Sequence, residues 1–188
     1  MGKKSNTGFT IIELMVTIAI LGILAAWAVP GFENIVRDNR QATQLNDFVS
    51  SVQMARSEAI KRGASVTLCT SADGASCSGA AGWHQGWLVF IDLDDDTVVD
   101  AGETVINVGS GLDGGNTLFG NANVSTSVVF DSRGFSRGFN GTFTLCDERG
   151  SDKARGLVLS NTGRIRRTVD EDSDGIEEGP GGAALVCA

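Results

Sequence analysis

The segment "GFTIIELMVTIAILGILAAWAVPGF", residues 8–32, restricts this chain more than any other part of it. Its 21 residues from Phe9 to Val29 are almost all apolar. As a helix they rise about 31 Å, which matches the hydrocarbon thickness of a bilayer. One acid, Glu13, interrupts the run near its start. A carboxylate inside a membrane helix costs on the order of 3 kcal/mol at the centre and less near an end, so it is neutralised or paired, and its default reading is functional. Two plainer readings compete. Glu13 can reach the headgroups from about one turn inside the span. Alternatively the run is a secretory signal, but such an apolar region is shorter, free of acid, and followed by a small-residue cleavage site. This run is too long, and an amphipathic helix continues directly out of it.

Lys3 and Lys4 precede the span, so the excess of positive charge leaves the first residues in the cytoplasm and sends the rest outward. The stretch "KKSNTGFTIIEL" resembles the class III signal of type IV pilins and type II secretion pseudopilins: a short basic leader, a glycine, an aromatic residue, and a glutamate five positions past the glycine. The resemblance implies that a prepilin peptidase cuts after Gly8 and that Phe9 becomes the N-methylated first residue. It also implies that Glu13 meets the cationic N-terminus of a neighbouring subunit. A charge that is costly alone is then compensated on assembly.

The 188 residues suffice for the membrane helix and one globular domain. Four cysteines, Cys69, Cys77, Cys146 and Cys187, form an even set with no Cys-x-x-Cys pair, and the chain has one histidine, which argues against a zinc cluster. In an oxidising compartment such a set forms disulfides. Three connectivities are open. The preferred one joins Cys69 to Cys77 around a small loop and Cys146 to Cys187 around the C-terminal tail. Closing the longer loop is worth about 3–4 kcal/mol on the chain-entropy model.

Past Pro30, which is expected to kink or interrupt the helix, Ile35, Val36, Leu45, Phe48, Val49, Val52, Ala55, Ala59 and Ile60 recur largely at spacings of three and four. Polar residues fill the positions between, so residues 30–62 read as an amphipathic helix whose stripe packs on a sheet, ended by Gly63. Residues 63–188 read as strands and turns: "ASVTLCT", "GWLVFID", "ETVINV", "SVVFDS", "GTFTLCD" and "RGLVLSN" are short apolar runs bounded by Gly, Asn, Asp or Ser. One long helix followed by six or seven strands indicates an α+β domain, with an antiparallel sheet covering the helix.

The resemblance extends beyond the leader. "SVQMARSEAIKRGASVTLC", "GWHQGWLVFIDLDDD…DAGE" and "TLCDERG…ARGLVLSNTGRIR" are similar to the H-type pseudopilin and FimT/FimU minor pilin family over nearly the whole mature chain. That family implies the type IV pilin fold, a long N-terminal transmembrane-to-amphipathic helix packed on an antiparallel β-sheet domain. The tail "DEDSDGIEEGPGGAALVCA" departs from the family pattern as an acidic, Gly-rich insert, of which residues 170–178 read as a charged, mobile loop.

No enzyme constellation emerges. "GFSRG", residues 134–138, has the letters of a nucleophile elbow, but that motif needs a following helix and a histidine downstream, whereas His84 lies upstream. "GSGLDG", residues 109–114, opens no helix and is not a dinucleotide fingerprint. "DLDDDTVVDAGE", residues 92–103, is different: Asp92, Asp94, Asp96, Asp100 and Glu103 fall at the positions of a calcium loop. Against calcium, Thr97 occupies the position where the helix-flanked calcium loop demands glycine, and the flanks are strands. The competing reading is a solvated hairpin loop. "DEDSDGIEE", residues 170–178, is a poorer match because Gly181 stands at its twelfth position.

The net charge of −8 repels nucleic acid overall. Locally, "NTGRIRRT" gathers Arg164, Arg166 and Arg167. On a strand edge Arg164 and Arg166 share a face and can grip consecutive phosphates. Arg133, Arg137, Arg149, Lys153 and Arg155 are candidates to widen the patch. Gly163, Arg164 and Arg166 resemble the G-R-x-R motif of FimT-type pilins that bind DNA in natural transformation. The competing reading pairs these arginines with Asp170, Glu171 and Asp172.

Taken with the resemblance, the expected protein is a structural minor pilin of a type IV pilus, single-pass in the bacterial inner membrane with a periplasmic domain. Its implied partners are other pilins or pseudopilins, the prepilin peptidase and double-stranded DNA. The alternative is a minor pseudopilin of a type II secretion system. The four cysteines and the G-R-x-R segment tilt the reading toward the pilus. No cofactor is expected, with calcium at loop 92–103 as the one candidate.

Overall fold

The computed structural model describes residues 8–79 and 82–187. Lys3 and Lys4, on which the orientation rests, lie outside the described residues. A single helix, α1 (Ile11–Arg62), leads into eight strands: β1 (Val66–Thr70), β2 (Gly86–Ile91), β3 (Thr104–Ser110), β4 (Thr117–Gly120), β5 (Ser127–Phe130), β6 (Gly141–Cys146), β7 (Arg155–Leu159) and β8 (Ile165–Arg167). The chain divides between Arg40 and Gln41 into two units.

In the first unit, the helix carries Ile11, Ile12, Leu14, Met15, Ile18, Leu21, Ile23, Leu24 and Trp27, all exposed. It is long and apolar enough to cross a membrane. The helix is unbroken at position 30, where an interruption was expected. A proline removes one donor from the ladder, but its φ is itself helical.

In the second unit, the helix buries Leu45, Phe48, Val52, Ala55 and Ala59, at the three- and four-residue spacing of one face. Within this unit the stripe read from the sequence is trimmed at its C-terminal end, because Ile60 is exposed; Ile35 and Val36 belong to the first unit. Gly63 ends the helix with φ 65°, its N–H donating to the Ala59 carbonyl at 2.9 Å. A residue with no Cβ adopts this left-handed turn without strain.

Two four-stranded antiparallel sheets replace the one sheet of six or seven strands expected, in the orders β3-β2-β1-β5 and β4-β6-β7-β8. The physical reason is visible in β1 and β2, which are buried on both faces. Leu68, Trp87 and Val89 face the main core, while Cys69, Leu88 and Phe90 are covered by Cys77 and Val99 from neighbouring loops. Such strands read as continuous apolar runs and hide which layer they serve.

Phe48 sits at the centre of the core. Its ring meets Trp83, Trp87 and Phe143 edge-on at 5.3, 5.2 and 4.9 Å. Each such contact adds about 0.5–1.5 kcal/mol beyond area burial. Trp83 satisfies its buried indole by donating to the Val124 carbonyl at 2.8 Å. Gly109 makes room for Trp87, since a Cβ there would lie 2.0 Å from the indole. Two disulfides complete the unit: Cys69–Cys77 and Cys146–Cys187, with Cα–Cα distances of 5.6 and 5.9 Å.

Candidate functional site

Three groups of charged residues stand out. The first is at the start of α1. Thr10 precedes the helix, and Glu13 Oε2 accepts from both Thr10 N and Thr10 Oγ1 at 3.0 Å. Glu13 N donates to Thr10 Oγ1 at 3.3 Å in return. This is a reciprocal capping box, in which the hydroxyl and the carboxylate each satisfy a backbone donor left free by the helix end. The sequence reading assigned Glu13 a role but missed this local one. The available signal was "TIIE", a Thr-x-x-Glu spacing directly ahead of an apolar run. Gly8 and Phe9 precede the cap, and Phe9 is exposed.

The second group lies around the turn between β7 and β8. Gly163 has φ 73°, its N–H donates to the Ser160 carbonyl at 2.8 Å, and Ser160 N donates to the Arg164 carbonyl at 3.0 Å. The loop containing "GFSRG" is laid against this turn. Ser136 N donates to the Asn161 carbonyl at 3.1 Å, and Ser136 Oγ to the Ser160 carbonyl at 2.9 Å. Ser136 is therefore a buried clasp between two loops. Arg56 of α1 donates through Nε to the Gly134 carbonyl at 3.1 Å. Arg133 and Arg137 lie over the Phe135 ring at 5.7 and 5.4 Å from its centroid. A shallow cleft of about 320 Å³ opens here, lined by Gln53, Arg56, Ser57, Ile60, Gly163, Arg164 and Ile165.

β8 pairs only with β7, so it is the edge of its sheet. Alternation separates its side chains. Ile165 is half-buried, and Arg167 Nη2 donates to Asn46 Oδ1 on α1 at 2.7 Å. Arg164 and Arg166 are exposed, and neither makes an ion pair among the described residues. The expected pairing with Asp170, Glu171 and Asp172 is thus not formed there. The wider patch is also smaller than its residue list. Arg133 and Arg137 belong to the loop against the turn, but Arg149, Lys153 and Arg155 lie at the opposite end of β7. Arg149 is held by Asp147, whose Oδ2 accepts from Nη2 at 2.7 Å.

The third group is acidic. Loop 92–103 joins β2 to β3, and Asp92, Asp94 and Asp96 each place a carboxylate oxygen within 4.8 Å of the others. Asp100 and Glu103, expected to join them, do not. Both oxygens of Glu103 are taken, Oε1 by Leu93 N at 2.8 Å and Oε2 by Asp100 N at 3.0 Å. Desolvation, followed by the charges of Asp96, Glu103 and Asp100, pushes the Asp94 carboxyl above its ordinary value. Thr97 takes φ 65°, the left-handed conformation that glycine would supply at this position.

The acidic tail is also built differently from the mobile loop expected. Asp170, Asp172, Asp174 and Glu178 converge in the same way. Asp170 accepts from Ser173 N and Gly175 N, Glu178 accepts from Glu171 N, and β-bridges join Val169 to Glu178 and Glu178 to Ala184. Counting twelve positions to Gly181 missed that the loop closes at its ninth, Glu178.

A capped apolar helix that continues into a β domain of antiparallel sheets defines a pilin-type subunit. The family model described as "Type II transport protein GspH" matches residues 44–163, and the one described as "Prokaryotic N-terminal methylation motif" matches residues 3–29. The chain belongs to the GspH family. It is 32% identical over 77 residues to the type IV major fimbrial protein FimA of Dichelobacter nodosus, covering 41% of this chain and 40% of that one. To a fimbrial protein of Pseudomonas aeruginosa it is 42% identical over 60 residues, covering 32% and 38%. The chain thus spans about two-fifths of the length of these curated relatives. In fold it is similar to the type IV minor pilin FimU of Pseudomonas aeruginosa, with a TM-score of 0.55 at 21% identity, over 71% of this chain and 90% of that one. The fold is the α+β type IV pilin fold.

Proposed function

We propose that this chain is a structural minor subunit of a type IV pilus, anchored in the inner membrane by residues 9–29 with its β domain in the periplasm. A prepilin peptidase cuts between Gly8 and Phe9, and α1 then packs among the helices of other pilins. The observation that supports this reading is the exposed apolar helix with its single acid at the first turn. Apolar side chains at that density call for lipid or for neighbouring helices, and a lone carboxylate among them calls for a counter-charge, which the cationic N-terminus of a neighbour would supply. The test is filament recovery. A Glu13→Ala chain should remain in the membrane fraction and be absent from sheared filaments. Incorporation at the wild-type level overturns the reading.

The match of the GspH model to residues 44–163 favours a second reading, a minor pseudopilin of a type II secretion system. Deleting the chain separates the two, since pilus extension fails on the first reading and protein secretion on the second. DNA reception is an added role of the same subunit. It is supported by Arg166 on the edge strand β8 and Arg164 just before it, exposed cations without ion-pair partners among the described residues. Phosphate needs donors of this kind and no base-specific geometry.

A further inference from the structure

Asp92 is the one acid of loop 92–103 that is buried from water. It is 1% exposed at the base of the loop, and its backbone N–H donates to the Ser65 carbonyl at 3.1 Å. Its Oδ2 is fully engaged, accepting from Thr67 Oγ1 at 2.7 Å and Thr97 N at 3.1 Å. Its Oδ1 is buried and finds no hydrogen-bond donor. A buried carboxylate oxygen is normally answered by a donor or a cation. The same residue offers a carboxylate oxygen within 4.8 Å of one from Asp94 and one from Asp96. No lysine or arginine makes an ion pair with any of the three among the described residues.

We propose that loop 92–103 binds a hard divalent cation, calcium, through Asp92 Oδ1 and the carboxylates of Asp94 and Asp96. All the donors are oxygens, as a hard cation requires, and the loop supplies no nitrogen or sulfur ligand that would select zinc or copper. The side chains of Asp94 and Asp96 are exposed, so solvent can complete the coordination and the flexible geometry suits calcium over magnesium. Thr67 and Thr97 hold Asp92 in place, which makes it the fixed point of the site and the exposed aspartates its closing arms. Asp100 and Glu103 shape the loop through its backbone: Glu103 accepts from Leu93 N and Asp100 N. The extracytoplasmic side of the membrane is where calcium in the millimolar range is met, and sites of this type bind with dissociation constants of about 0.1–1 mM.

The test uses the full chain in detergent with calcium chloride, magnesium chloride or chelator. Asp94→Asn/Asp96→Asn is the variant of choice, because both side chains are exposed and Asp92 remains to hold the loop. At ten times the dissociation constant, calcium should raise Tm by about 3–6 °C. It should also slow hydrogen exchange at the amides of residues 93–103, and the variant should lose that slowing. The exchange measurement confines the answer to this loop and keeps the acidic tail from contributing to it. Unchanged exchange at 93–103 in 10-fold excess over about 1 mM calcium overturns the proposal. Slowing that persists undiminished in the variant, or that magnesium reproduces at equal concentration, overturns it as well.

Discussion

Thr10 and Glu13 cap the helix for each other: the threonine hydroxyl accepts from Glu13 N while the glutamate accepts from Thr10 N and Oγ1. Glu13 therefore has a partner inside its own chain before any neighbour arrives. On the proposed assembly it would exchange a neutral donor pair for a cationic one, and a charge-assisted hydrogen bond is the stronger of the two.

Glutamine separates the two duties of this residue. It is an accepted third residue of a capping box but carries no charge. Glu13→Gln should preserve the helix start, measured as helix content in detergent, yet incorporate into filaments as poorly as Glu13→Ala. If the glutamine variant assembles normally, capping alone accounts for Glu13.

Gly163 is a structural member of its motif. With φ 73° and a Cβ that would lie 2.2 Å from the Gly134 carbonyl oxygen, alanine is both strained and obstructed. Gly163→Ala should destabilise the chain by about 2 kcal/mol or more, read as a fall in Tm. Arg164→Gln, at an exposed side chain, should leave Tm within about a degree of wild type.

All three arginines of "GRIRR" are exposed, but Arg167 is tied to the Asn46 side chain at 2.7 Å, whereas Arg166 donates to the Arg167 carbonyl at 3.4 Å. Arg164→Gln/Arg166→Gln should weaken binding of duplex DNA and lower the salt slope of log K by about 2, since each phosphate contact adds about 0.9. Arg167→Gln, whose wild-type guanidinium is engaged by Asn46, should bind as wild type does. A gel shift across a salt series measures both. Equal binding by the double variant and wild type removes the motif from nucleic-acid recognition.

The two disulfides should differ in weight. Cys146–Cys187 closes a separation of 41 residues and Cys69–Cys77 one of 8. Chain entropy assigns them about 4 and about 2.5 kcal/mol. Replacing the first pair by serine also loosens Leu185, packed with Ala154 beside it, so its Tm loss should be the larger of the two.

Acid should destabilise the β domain through specific carboxylates. The Asp73 carboxyl is held far below its ordinary value of 3.8 by the Ala75 N–H, the Ser76 hydroxyl and N–H, and the Ser71 hydroxyl. Glu58 is held below 4.5 by Arg62 and Lys61. For Asp131, desolvation pushes upward but is outweighed by the N–H groups of Phe135 and Arg133 and by the Arg133 guanidinium. A lowered folded-state pKa stabilises above the unfolded value and is lost as pH falls through the folded one. Tm should therefore drop below about pH 4, less steeply in Asp73→Asn. Asp94 acts with the opposite sign, because its raised pKa makes protonation favour the folded loop.

The helix was legible because burial follows the face that Leu45, Phe48, Val52, Ala55 and Ala59 mark by spacing alone. Most strands were legible as short runs between turn residues. "TLFG" of β4 was not, being four residues with no alternation. The division into two sheets was hidden by β1 and β2, buried on both faces. Sites fared unevenly for a similar reason. Spacing placed Asp92, Asp94 and Asp96 together, but whether Glu103 joins them depends on which backbone donors reach it first. The clasp of Ser136 onto the Asn161 turn joins loops distant in sequence and leaves no local trace.

The three-residue length and outward cations of β8 have an effect on what the sheet rejects. An uncovered sheet border offers its backbone to any strand that approaches, including the same border of another copy. Two copies meeting along β8 would bring Arg166 against Arg166 across a ladder too short to compensate the repulsion. The rim that would hold a polyanion thus also disfavours unprogrammed stacking of copies, so substituting its arginines should be judged by solubility as well as by ligand capture.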